Sequence, residues 1–206
     1  MRKSKVETAR TRKRIVDLAA QTFRSNGIAA TGVAEIMAAA GLTHGGFYRH
    51  FGSKDQLVAE ACSSGLDDMV QSYRSASERG RDVFVKNLQS SLTTAYRDDR
   101  SGGCPLVAMG SELARADAAT RRGASNGFEE LIDEIAQWLP ANSGREARDD
   151  AIAILTGMIG AVTMSRVVDD ARLSARILRV GKDVIARRFE TNSPKQQASV
   201  QHKRRA

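Results

Sequence analysis

At 206 residues the chain can form one domain or a small domain followed by a larger one, and in either case a real core. A hydrophobic fraction of 41% and a charged fraction of 27% exclude disorder along the whole length, while Cys62 and Cys104 are too few for a disulfide scaffold and lack metal-ligand spacing. The formal net charge of +8 is unevenly placed: residues 1–54 hold 10 Lys and Arg against 3 Asp and Glu, residues 55–194 hold 18 against 21, and residues 195–206 hold 4 against none.

The opening MRKSKVETARTRKRIV is basic but leads into an amphipathic pattern, not an apolar run with a cleavage site, so no signal peptide is expected. Ile15, Leu18, Ala19 and Phe23 fall at helical spacing before Asn26-Gly27, which predicts a first helix over about 6–25. Val33, Ile36, Met37 and Ala40 predict a second, two-turn helix with Thr31 at its N-cap and Gly41 at its end. Thr43 caps a very short third helix that places Phe47 and Phe51 on one face, and Gly52 breaks it. Ser53 caps a long fourth helix whose stripe from Leu57 to Tyr73 persists to about residue 77. A fifth helix is expected over 81–96, followed by the loop RDDRSGGCP, then helices over 106–116, 118–139, 145–168 and 173–189. Residues 191–206 have no apolar periodicity and read as a basic disordered tail. No alternating strand pattern is visible, so the expectation is an all-α protein of about nine helices. The longest uncharged run, residues 151–165, is 15 long, short of the roughly 20 needed to cross a bilayer, and reads as a buried helix. With so few cysteines, a reducing cytoplasm fits best.

A basic first quarter on a mildly acidic body points the N-terminal part at a polyanion, with chance clustering on a solvated face as the plainer alternative. Two short helices joined by AAAGLT have the length and glycine-containing turn of a helix-turn-helix, whose second helix enters the major groove of double-stranded DNA. Gly45 and Gly46 in its first turn would let the backbone approach bases and phosphates. His44 and Arg49 supply polar reach, and Thr43, Tyr48, His50 and Lys54 are placed to bind phosphates. Phe47 and Phe51 have another job, pinning a glycine-weakened helix to the core. An ordinary helical hairpin with a polar face is the competing reading.

The stretch TGVAEIMAAAGLTHGGFYRHFGSKDQL resembles the signature of the TetR family of bacterial transcriptional repressors, over residues 12–58. The resemblance implies a helix-turn-helix domain at 1–53, a helical ligand-binding and dimerisation domain at 54–190, and the basic tail at 191–206. Residue by residue, it makes Thr43 the cap of the recognition helix and a phosphate contact, Gly45 the close-approach glycine, Tyr48 a phosphate ligand and Lys54 the lysine that opens the next helix. Thr31 and Gly32 match a backbone phosphate contact. His44 stands where lysine is usual and Gly46 where threonine or serine is, so the bases read depart from the common pattern. Arg49 is the first candidate for a base edge, its fork matching guanine O6 and N7.

The resemblance also implies a homodimer whose last two helices pair into a four-helix bundle, a roughly palindromic operator, and release by a small-molecule inducer. Gly157 and Gly160 would admit the partner, though burial within one chain is an alternative. Met69, Tyr73, Cys104, Met109, Phe128 and Trp138 are candidate ligand-binding residues, each as readily plain core. Cys104, ahead of Pro105 at a helix start, is also weighed as a reactive thiol against a small buried hydrophobe. No catalytic constellation, metal motif or cofactor loop is apparent: the three histidines are His44, His50 and His202, and no enzyme, cofactor or membrane partner is expected.

Overall fold

The computed structural model describes residues 5–139 and 144–190, and the tail expected at 191–206 lies outside them. Among the described residues the chain forms α1 (Lys5–Asn26), α2 (Val33–Ala39), a 3-10 helix (His44–Arg49), α3 (Lys54–Glu78), α4 (Arg81–Ser90), α5 (Thr94–Asp98), α6 (Pro105–Leu113), α7 (Ala118–Ala136), α8 (Gly144–Val167) and α9 (Ala171–Glu190), with no strand. The all-α expectation holds, with nine α-helices and one 3-10 helix among the described residues.

Three local differences have physical causes. The helix expected over 81–96 is two, because QSSLTT supplies side-chain oxygens that compete for the backbone. The Thr93 hydroxyl donates to the Ser90 carbonyl at 2.9 Å and accepts the Tyr96 N–H at 3.2 Å, which ends α4 and starts α5. Phe84, Leu88, Leu92 and Ala95 keep helical spacing across the break and conceal it. The short third helix is 3-10, held by Gly46 N–H to Thr43 C=O at 2.9 Å and His50 N–H to Phe47 C=O at 2.8 Å, with Gly45 and Gly46 disfavouring α geometry. At α2 the N-cap is Gly32 and not Thr31, whose buried hydroxyl donates to the Gly27 carbonyl at 2.7 Å.

Ser53 does cap α3, accepting the Gln56 N–H at 3.1 Å while the Gln56 side chain accepts the Gly52 N–H at 2.8 Å. Gly27 and Gly41, with φ of +85° and +68°, close α1 and α2 in the left-handed conformation that glycine adopts without strain.

The described chain divides into two compact units, 5–71 with 99–129, and 72–98 with 130–139 and 144–190. In the first, α1 packs on α2 and α6, and the 3-10 helix packs on α2, around Ile15, Phe23, Ile36, Met37, Phe47 and Phe51. In the second, α8 lies against α9, α4 against α9 and α5 against α8. Its centre is Phe84, whose ring meets Tyr73, Trp138 and Phe189 at centroid distances of 5.8, 5.9 and 6.4 Å.

Candidate nucleic-acid interface

Six residues, HGGFYR, make up the 3-10 helix, and such a segment cannot hold itself together by propensity. Its anchors are aromatic: the buried Phe47 and Phe51 stack at 5.4 Å. Arg12, from α1, lies over Phe51 with its guanidinium carbon 4.4 Å from the ring centroid and donates from Nε to the His50 carbonyl at 3.2 Å. Its other two nitrogens form a two-pronged ion pair with the Glu60 carboxylate of α3, one prong at 2.6 Å. Hydrogen bonding to Arg12 holds the Glu60 carboxyl below the usual glutamate range. Arg14 donates to the Ala40 carbonyl at 2.7 Å and so caps the end of α2. Part of the basic N-terminal charge thus serves as internal fastening, which the sequence does not reveal because Arg12 and Glu60 lie 48 positions apart.

With the aromatics inside, the polar residues are left outside. Thr43, His44, Gly45, Tyr48 and Arg49 are exposed, as is Gly32, while Gly46, His50 and Lys54 are half-buried. Tyr48 is 68% exposed, an unusual position for a large aromatic, and meets His44 edge-on at 6.2 Å. A Cβ added to Gly45 would meet nothing within 4 Å, and one on Gly46 would find only ordinary contacts at 3.6 Å and beyond. Neither has positive φ, so the protein's own packing does not demand glycine at either position. Thr31 is buried with its hydroxyl engaged, which leaves its backbone for any outside contact. Lys54 donates from Nζ to the Ile28 carbonyl at 2.5 Å, a role its sequence position did not reveal.

The six ligand-binding candidates are drawn from both units. Met69, Cys104, Met109 and Phe128 belong to the first unit, Tyr73 and Trp138 to the second. Cys104 is the N-cap of α6 and is buried, and burial pushes the Cys62 thiol up to about 12, with Cys104 adding to the rise. Trp138 donates from Nε1 to the Ser77 hydroxyl at 2.7 Å. An apolar groove of about 390 Å³ instead lies along α8 and α9, lined among others by Gly157, Met158, Leu173, Ile177, Val180 and Val184, and none of the six candidates lines it. By length and composition α8 would also suit a bilayer, with a third of its most apolar window buried. Among the described residues no cluster of three or more His, Cys, Asp or Glu could hold a metal ion.

Residues 15–61, which contain this whole anchored segment, match the family described as bacterial regulatory proteins, tetR family. Residues 82–177 match the C-terminal domain of LmrA/YxaF-like transcriptional regulators. The chain belongs to the TetR family.

TetR-family proteins are transcriptional regulators and not enzymes. The chain is 38% identical over 85 residues to the HTH-type transcriptional repressor KstR2 of Rhodococcus jostii, covering 41% of each protein. It is 31% identical over 104 residues to the regulator AcrR of Shigella flexneri, covering 47% of this chain and 48% of that one. The chain therefore spans less than half the length of these curated relatives. A crystal structure of a TetR transcriptional regulator from Chloroflexus aurantiacus superposes with a TM-score of 0.73 at 26% identity, over 91% of this chain and 98% of that one.

Proposed function

We propose that the protein is a transcriptional repressor that binds a palindromic DNA operator as a homodimer and is released by a small-molecule effector. The observation that carries this is the division of labour in the 3-10 helix. Phe47 and Phe51 are buried and stacked on each other, with Arg12, paired to Glu60, lying over Phe51, while His44, Tyr48 and Arg49 are exposed beside two glycines that the fold does not require. Exposed polar and aromatic side chains on a glycine-thinned, rigidly held helix suit close approach to a polyanion and readout in the major groove. In this reading Arg49 and His44 contact base edges. Thr43, Gly45, Gly46, Tyr48, His50 and the backbone at Thr31 and Gly32 fix the phosphates. The repressor KstR2 is so named, and the direction of regulation is taken from it.

The DNA-contacting segment ends near Ser53, and the rest of the chain to residue 190 serves dimerisation and effector binding. The groove on α8 and α9 is the proposed dimer face. Ile152, Met164, Leu173, Val180 and Val184 are exposed there or on the same two helices, and a Cβ at Gly157 or Gly160 would meet nothing within 4 Å. A second copy of the same face covers this apolar surface and leaves α8 a buried helix of a cytoplasmic protein. Effector binding acts by favouring a conformer whose two recognition helices are wrongly spaced, with α3, which starts at Lys54, as the lever.

The test is selection of bound duplexes from a random-sequence pool with the wild-type chain and with Arg49→Ala. The variant should lose about 1–3 kcal/mol of affinity for the selected sequence and relax preference at one position of each half-site. Unchanged preferences sink the assignment of Arg49, and a wild-type chain that selects nothing makes the protein a non-specific nucleic-acid binder.

A further inference from the structure

The turn between α1 and α2 is held from outside the helix-turn-helix. Glu112, in the last turn of α6, accepts the Ile28 N–H at 3.1 Å on one carboxylate oxygen and the Ala29 N–H at 2.8 Å on the other. From the opposite side Lys54 donates to the Ile28 carbonyl at 2.5 Å, so one peptide unit of the turn and its neighbour sit between a carboxylate and an ammonium group. The turn is shaped to admit that carboxylate. Gly27 has φ +85°, and a Cβ there would stand 3.3 Å from Glu112 Oε2. A carboxylate near the C-terminal end of a helix faces the unfavourable pole of the helix dipole, so α6 gains nothing by having Glu112 there. The two amides it captures are what its position is good for.

The turn leads directly into the DNA-facing elements. It runs into Gly32 at the start of α2, α2 packs on the 3-10 helix, and the Leu42 N–H donates to the Met37 carbonyl at 2.8 Å where α2 gives way to that helix. We propose that Glu112 is the positioning residue by which α6 fixes the α1–α2 turn, and through it the recognition helix, in the orientation that binds the operator. The proposal rests on the DNA-binding reading above and adds to it a residue 51 positions beyond the N-terminal segment that matches the tetR family, which ends at residue 61.

Electrostatics makes the test sharp. Removing a carboxylate from a DNA-binding protein by itself strengthens binding to a polyanion; loss of positioning does the reverse, and only for the operator. The full chain is compared as wild type, Glu112→Gln and Glu112→Ala, by fluorescence anisotropy on the selected operator and on a random duplex, and by amide hydrogen exchange at Ile28 and Ala29. Glu112→Ala, which loses both charge-assisted hydrogen bonds, should expose both amides to faster exchange and weaken operator binding about tenfold or more. Binding to the random duplex should be unchanged or slightly tighter. Glu112→Gln, which keeps one acceptor oxygen and should fold even if the alanine variant does not, should lie between. Operator affinity that is unchanged or tighter in both variants overturns the proposal, as does an equal loss on operator and random duplex accompanied by a loss of helix. If wild type itself does not distinguish operator from random duplex, the DNA-reading function fails and the proposal falls with it, a result recognised without any variant.

Discussion

Phe47 and Tyr48 are neighbours in the chain with opposite expected consequences. Phe47 is 1% exposed, stacked on Phe51 and edge-on to Tyr48 at 5.3 Å. An aromatic side chain of this kind buries about 150–250 Å², worth roughly 4–6 kcal/mol at about 25 cal/mol per Å², and truncations of buried Phe to Ala cost about 3–5 kcal/mol. Apart from Phe51 and the Arg12 bond to His50, little holds this segment: Thr43 makes no side-chain cap to it, and its two glycines disfavour helix. Phe47→Ala should therefore destabilise the protein by about 4 kcal/mol, a large share of a total of about 5–15 kcal/mol. Tyr48→Ala removes a mostly exposed ring and should change stability by less than about 0.5 kcal/mol. Urea titrations followed by circular dichroism read the difference as a fall in midpoint of roughly 1.5–2 M for Phe47→Ala, with the slope unchanged. Anisotropy on the selected operator should show the folded Tyr48→Ala variant binding more weakly. A Phe47→Ala cost under about 1 kcal/mol, or a Tyr48→Ala cost as large as that of Phe47→Ala, would refute the division of this helix into anchor and contact residues.

The α8–α9 face and the Arg12 clamp give two further expectations. Val180→Glu places a charge in the exposed apolar groove and should convert a dimer into a monomer at micromolar concentration, read by size-exclusion chromatography with light scattering, while helix content stays the same. Glu60→Gln removes a carboxylate whose folded pKa lies below its unfolded value. Its contribution is present above the unfolded value, about 4.3, and lost as pH falls through the folded one. Because both side chains are about one-third exposed, with relative exposures of 33% and 31%, the variant should lose only about 1 kcal/mol at pH 7. The gap from wild type should close below about pH 4; a gap that persists in acid contradicts the ion-pair account.

Much of this architecture is written in short-range patterns. The stripes Ile15, Ala19, Phe23 and Leu57 to Tyr73 are sufficient to place α1 and α3, and the i,i+4 pair Phe47 and Phe51 already marks the inward face of the 3-10 segment. What periodicity misses is competition between equally local signals. Thr31 carries a capping side chain, but its hydroxyl is committed to Gly27, and the serines and threonines at 90–94 break a helix whose apolar spacing continues without a gap. Long-range pairing is hidden for a different reason. Arg12 with Glu60, and Glu112 with the turn 84 residues before it, are ordinary surface charges in the sequence and become structural only once helices are brought together. Lys54 illustrates both: its place at the head of α3 is legible, its bond to Ile28 is not. The candidate ligand residues belong to both units, and size and apolarity alone do not separate a cavity wall from core.

In the proposed function two copies of this chain read a symmetric DNA sequence through residues 43–50. Selection of wild-type protein against a random-sequence duplex pool, followed by light scattering of the protein on the recovered duplex, tests it most directly. The expected result is enrichment of two inverted half-sites bound by two chains. Recovery of no preferred sequence, or of an asymmetric sequence bound by one chain, would contradict it.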